Sequence, residues 1–389
     1  MNNPRKILVI RFSALGDLVL TSPIFRELKR IYPDLGITLL TSSTQGTVLD
    51  NNPHIDQVIR YSRNGSGVLL KTLIQKLRRE RYDLIYDAHR SLRSIWIVWN
   101  LSGFGLFKYP QVWTINKRSW KRDLLIRWKL NFLKKTPSQR HHLLRPLQEH
   151  TKLELNNQTE LFPDKSAVLL IQEFLKKNNI LPKRFVAIGP SASYPLKCWP
   201  LVYFNEVISS LLEQGWSVVL VGGTGEKETI QLEKEFSGKV QSVAGRFSPL
   251  ETAELLRQAS IVITNDTSVG HLAESMRTPV IVLFGATVRE FGYAPFLEES
   301  KMLETEEVLG CRPCSRDGRG KCRNPDYLRC LTTITPEMVL SLIPKTKTNK
   351  YLLKKFFFCH PGLDPVSILP YSLSTKYDTF PRDSGSRLR

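Results

Sequence analysis

Short apolar runs alternate along the chain with longer stretches of helical spacing. "KILVIRF", "GITLLTS" and "YDLIYDAH" are apolar enough to be strands buried on both faces. Between them, residues 18–32 and "VLLKTLIQKLRRE" place apolar side chains at helical spacing. This alternation predicts a parallel sheet with crossover helices. The pattern blurs through residues 91–150 and resumes near residue 184. There "RFVAIGPS", "WSVVLVGG", "SIVITND" and "PVIVLFG" read as strands. "YFNEVISSLLEQG" (closed by Gly215), "EKETIQLEKEF", "SPLETAELLRQA" and "VGHLAESM" read as helices. Ser248 followed by Glu251 has the spacing of a capping box. The expected architecture is α/β, with two Rossmann-like, doubly wound domains over residues 1–170 and 171–344. A ligand cleft is expected between them, at the carboxyl ends of the strands. Residues 345–389 show no sustained period, contain four prolines and are expected to form a disordered extension.

Composition narrows the class. The 389 residues are 41% hydrophobic and contain no unbroken apolar run of about twenty, so no membrane span is predicted. The apolar run at the N-terminus is too short for a signal peptide and ends at Arg11, so the expectation is a cytoplasmic protein. The net charge is +20, and +14 remains without residues 345–389, which hold nine Lys and Arg against three Asp. Such a charge favours an anionic partner. Residues 90–150 hold 13 Lys and Arg against Asp123 and Glu149, with five of the seven tryptophans. Cations mixed with large amphipathic rings suit a lipid headgroup region or a phosphorylated glycan. A solvated basic face with buried tryptophans is the simpler alternative. No nucleic-acid-binding motif accompanies the charge.

Three loops at predicted strand ends can carry chemistry. "SALGD" lacks the Gly-x-Gly-x-x-Gly fingerprint and places a carboxylate, Asp17, where a phosphate would otherwise sit. On its own, Asp17 is readable as a helix cap. "GPSASYPLKCWP" supplies a cation, Lys197. "TNDTSVGHLAE" opens a helix whose first amides, at Thr267, Ser268, Val269 and Gly270, form an anion site with Lys197 opposite. A diphosphate would fit this arrangement. Cys311, Cys314, Cys322 and Cys330 have a spacing that suits a structural zinc, a redox-sensitive pair or plain reduced thiols.

Together "KILVIRFSALGDLVLTSP", "GPSASYPLKCWP" and "ITNDTSVGHLAESMRTPVIVLFGAT" resemble the signature regions of glycosyltransferase family 9, the ADP-heptose:lipopolysaccharide heptosyltransferases and their relatives. "YDLIYDAHRSLRS", the "CRPC" region and "ITPEMV" are similar to that family too. The resemblance implies a GT-B fold, with acceptor on the first domain and sugar nucleotide on the second. It implies inverting transfer of heptose from ADP-heptose to a lipopolysaccharide core or lipid A precursor, at the inner face of the plasma membrane. Another nucleotide sugar remains the alternative donor. Many glycosyltransferases hold a divalent metal on Asp-x-Asp, which occurs nowhere in this chain, so metal-independent transfer with no cofactor is implied. By resemblance Asp17 is the general base. Lys197, Asp266, Thr267 and His271 contact the diphosphate and donor sugar, and Glu226 stands near the ribose. His271 is equally well read as a structural helix residue. The family's common D-T-G and F-G-P-T are D-T-S and F-G-A-T here, through Ser268 and Ala286. Arg90 and Arg93, just past "YDLIYDAH", are expected to face an anionic acceptor. Lys117, Arg118, Lys121 and Arg122 are expected on the outer surface.

Overall fold

The computed structural model describes residues 4–62, 67–103, 110–134 and 138–344, so the extension expected at 345–389 lies outside the described residues. Each half forms one parallel sheet. The first contains β1 (Lys6–Ile10), β2 (Gly36–Ser42), β3 (Gln57–Tyr61), β4 (Leu84–Asp87) and β5 (Gln111–Thr114), in the order β3-β2-β1-β4-β5. The second contains β6 (Phe185–Gly189), β7 (Ser217–Leu220), β8 (Gln241–Ser242), β9 (Ile261–Asn265), β10 (Val280–Phe284) and β11 (Lys301–Glu304), in the order β11-β10-β9-β6-β7-β8. Val9 stands between Leu39 and Tyr86, and Ile188 between Ile263 and Leu220. The strand order reverses between β1 and β4, and again between β6 and β9. Crevices for ligands open at such points, beyond the carboxyl ends of the strands.

Covering the first sheet are α1 (Leu15–Val19), α2 (Ser22–Ile31), α3 (Gly67–Glu80), α4 (Leu92–Ser102), α5 (Ser119–Trp128) and α6 (Gln139–Thr151). With the second come α7 (Lys165–Lys177), α8 (Leu201–Glu213), α9 (Lys227–Glu235), α10 (Pro249–Gln258), α11 (Ser268–Ser275), α12 (Arg329–Thr332) and α13 (Pro336–Ser341). Central strands such as "FVAIG", "IVITN" and "VIVLF" are buried at every position, as strands covered on both faces must be.

The helix expected over 18–32 is two helices, broken at Leu20–Thr21. Pro23 lacks an N–H and fits the first turn of α2, not a helix interior. The capping box at Ser248 is formed in both directions, and Gly215 adopts the left-handed φ of +78° just past α8. Residue 170 falls inside α7, whose Phe174 meets Phe247 of the second half edge-on. One apolar cluster runs from the first sheet to the second through Leu18, Leu28, Leu272 and Ala273. The two halves therefore pack as one body across residues 4–344.

Candidate active site

A cavity of about 810 Å³ opens between the two sheets, and the loops after β1, β6 and β9 line it. Asp17 lies on the first turn of α1, whose N-cap is Ala14, so Asp17 is not the helix cap. Its carboxylate is held on both sides. Arg11, the residue after β1, pairs with Oδ2 at 2.5 Å and donates a second bond to the Ala88 carbonyl. The Tyr293 hydroxyl, from the second half, donates to Oδ1 at 3.2 Å. Burial and the neighbouring Asp17 raise the Tyr293 pKa, so the phenol stays protonated and a donor.

The lone glycine of the first loop has a spatial reason. A Cβ on Gly16 would lie 2.8 Å from His271 Cδ2 and 3.6 Å from Ser268 Cβ. Gly16 thus lets α1 cross the start of α11 closely, and it leaves room for Ser268. His271 lines the cavity and touches both halves. Its pKa is lowered, first by burial, so the ring is neutral near pH 7.

Lys197 and Asp266 are partners across the cavity wall. Lys197 Nζ lies 2.6 Å from Asp266 Oδ2 and 3.1 Å from the Asp266 carbonyl. Thr287 donates to the same carboxylate at 2.7 Å. The Asp266 carboxylate and carbonyl thus hold the Lys197 ammonium in place. Gly318, with φ of +90°, covers the lysine stem, where a Cβ would come within 2.7 Å of Lys197 Cγ.

The expected anion site at α11 is narrower than its sequence suggests. The Thr267 side chain caps its own helix by accepting from the Val269 amide. Gly270 is buried and does not line the cavity. It faces Thr264 and Val282, where a Cβ would make ordinary contacts of 3.5 and 3.4 Å. Thr267, Ser268 and Val269 do line the cavity, with the positive end of the helix behind them. Glu226 is the N-cap residue of α9 and turns back over Gly222 and Gly223, where any side chain would collide with its carboxylate.

Of the two arginines expected to meet acceptor, one lines a cavity. Arg93 lies over the Tyr61 ring and lines a second cavity of about 620 Å³. That cavity shares Ser13, Gln45 and His89 with the central one, and hydroxyl groups of residues 42–44 line it. Arg90 instead donates to the Ile115 carbonyl at 3.2 Å and lines neither cavity. The basic group expected on the outer surface divides. Lys117 and Arg122 line the central cavity, and Arg122 reaches the Phe291 carbonyl of the other half. Arg118 lines a separate basic pocket, and Lys121 lies over the Trp120 ring. Burial, then the nearby Arg11, lowers the Lys117 pKa. His142, also in the central cavity, is pushed down to about 4 by burial and then by Arg118.

Among the described residues no group of three or more His, Cys, Asp or Glu could hold a metal ion. Cys311, Cys314, Cys322 and Cys330 are free, and burial raises the Cys330 thiol to about 12. The zinc arrangement open on spacing is therefore not assembled. Arg11, Tyr293 and Thr287 are contacts of the site that the sequence reading missed. Only Arg11 carried a signal, as a cation ending a buried apolar run.

The sequence model described as Glycosyltransferase family 9 (heptosyltransferase) matches residues 70–319. The chain is 29% identical to Lipopolysaccharide heptosyltransferase 3 of Escherichia coli K12, over 73% of this chain and 83% of that protein. It is 24% identical to Lipooligosaccharide heptosyltransferase 2 of Haemophilus influenzae, over 90% of this chain and 99% of the other. Among solved structures, the glycosyl transferase family 9 of Veillonella parvula superposes with a TM-score of 0.70 at 19% identity, covering 87% of this chain and 95% of that one. E. coli ADP-heptose lps heptosyltransferase II gives 0.64 at 21% identity, covering 87% and 97%. These likenesses show the fold, the two-domain GT-B arrangement. Among the described residues no helix is long and apolar enough to cross a membrane.

Proposed function

The chain belongs to glycosyltransferase family 9, the heptosyltransferases, and from that premise we propose that it transfers heptose from ADP-heptose to a lipopolysaccharide inner-core acceptor with inversion at the anomeric carbon. The observation that carries this reading is one cavity with a held carboxylate, Asp17, on the first half and a held cation, Lys197, on the second. In a single displacement the acceptor oxygen bonds to the anomeric carbon as the bond from that carbon to the diphosphate oxygen breaks. The acceptor proton goes to Asp17, and the electron pair leaves with ADP. Arg11 and Tyr293 fix the carboxylate from opposite sides, so its orientation does not have to be found during reaction.

Lys197 and the N-terminus of α11 take up the charge growing on the diphosphate, and no step requires a metal ion. In this reading Glu226, which lines the cavity, accepts the ribose hydroxyls. The second cavity, with Arg93 and its hydroxyl groups, receives the acceptor sugars. The acceptor is a membrane glycolipid, so the enzyme works in the cytoplasm against the anionic inner surface of the membrane. The relatives named Lipopolysaccharide heptosyltransferase support the donor and acceptor classes.

Asp17→Ala is expected to lower kcat by about 10²–10⁴-fold, the range for acid–base groups, with little change in ADP affinity. Turnover near wild type on the lipopolysaccharide acceptor would remove Asp17 from this role. Full turnover with a different nucleotide sugar, and none with ADP-heptose, would replace the donor.

A further inference from the structure

We propose that α5 and the turn after it form the membrane-docking arm of this enzyme, and that its partner is the surface of an anionic phospholipid bilayer. The proposal rests on the reading of the acceptor as a membrane glycolipid. Trp120 is 58% exposed and Trp128 is 67% exposed. Eight residues apart, they fall about 80° from each other around the helix, on one broad face. Leu130 and Phe132 extend the exposed apolar surface past the helix end. Four large exposed apolar side chains within one short segment mark an interaction surface.

Charge selects the occupant. Lys121, Arg127 and Lys134 belong to the same segment, with Arg127 and Lys134 exposed and Lys121 lying over the Trp120 ring. The one acid of the segment, Asp123, is paired with Arg316 of the second half. Tryptophan with flanking Lys and Arg suits the headgroup boundary of an anionic bilayer, where ring and cation are both satisfied. A zwitterionic surface would leave these cations without net opposite charge.

The inner face of the same arm grips the second half. Leu125 clusters with Val288 and Phe291, and Arg122 donates to the Phe291 carbonyl. Lys129 donates to the Cys311 and Pro313 carbonyls. Lys117 and Arg122, at the arm's start, line the central cavity. A bilayer held against Trp120 and Trp128 therefore brings the headgroup layer close to the cavity's cationic wall. A lipid-anchored sugar chain could then enter without leaving the membrane.

The test uses the full chain and its variant Trp120→Ser/Trp128→Ser/Phe132→Ser, with thermal melting as the fold control. Cosedimentation is measured with vesicles of phosphatidylethanolamine and phosphatidylglycerol, and with vesicles of phosphatidylcholine alone. Wild type should bind the anionic vesicles and release them as salt rises. The triple variant should bind them about tenfold or more weakly. It should keep wild-type turnover on a deacylated, water-soluble acceptor and lose it on the acylated form of that acceptor embedded in vesicles. Wild-type binding by the triple variant overturns the proposal. So does loss of binding in Trp96→Ser/Trp99→Ser on α4 while the α5 variant binds normally, or wild type that ignores anionic vesicles. If wild type fails to glycosylate the soluble acceptor, the proposed function fails instead, and vesicle binding still decides the arm.

Discussion

Lys197 and Asp266 show how one residue's role depends on its partner. The pair is nine-tenths buried on the Asp266 side, with Thr287 as the carboxylate's other contact. Lys197→Met should weaken ADP binding and lower kcat, since a single electrostatic donor to developing charge accounts for about 10²–10³-fold. It should also destabilise the fold by about 3 kcal/mol or more, because the buried carboxylate loses its cation. The double variant Lys197→Met/Asp266→Asn should therefore melt higher than Lys197→Met alone while remaining inactive. A double variant that melts no higher would mean that Asp266 is not held by this cation. His142 makes a second residue-scale prediction. Its folded pKa of about 4 is below the ordinary value of 6.5. The unfolded chain then binds more protons between those two values, so stability is full above about 6.5 and falls as pH drops toward 4. The expected loss is about 2 kcal/mol after solvent screening. Unfolding midpoints at pH 7 and pH 5 should differ less in His142→Asn than in wild type. An equal difference in both proteins would assign the pH dependence elsewhere.

At the scale of elements, the crossing of α1 over α11 decides the site. Gly16 permits it, and the crossing sets Asp17 on the cavity wall beside Arg11. Gly16→Ala should cost about 1–3 kcal/mol, the usual cost of forcing an extra carbon into a packed contact. Turnover should fall further than stability alone explains, because His271 and Asp17 move apart. Melting and kcat measured together on this variant check the point, and unchanged values for both would show that the contact yields freely. The same elements account for Ser268, which fits against Gly16.

For the whole molecule, the cavity belongs to neither half alone. Tyr293 reaches Asp17 from the second half, and Arg122 reaches Phe291 from the first. A nucleotide bound to the second half should therefore stabilise the entire body of residues 4–344. ADP at one hundred times its Kd, in metal-free buffer, should stabilise by about 2.7 kcal/mol. UDP and GDP at the same concentration should do much less. A shift that appears only after a divalent ion is added would contradict diphosphate binding by Lys197 and α11 alone.

Much of this protein was legible along its chain. Central strands buried on both faces, such as "FVAIG" and "VIVLF", are apolar at nearly every position, so neighbours in sequence suffice to recognise them. The capping box at Ser248 and the glycine after α8 are likewise local, because their partners lie within a few residues. Edge strands were not legible. β3 and β5 are short and partly exposed, and α4 to α6 mix charge with exposed rings. Their patterns answer to solvent and to the other half, which no window of sequence contains. The site divides in the same way. Asp17, Lys197 and the α11 turn were recognisable because each closes a predicted strand. Whether Lys197 meets a ligand or Asp266, whether Arg90 or Arg93 faces a cavity, and which tyrosine touches Asp17 depend on side chains distant in sequence. Tertiary structure decided those contacts, because only folding brings charges separated by 69 or 276 residues within hydrogen-bond distance.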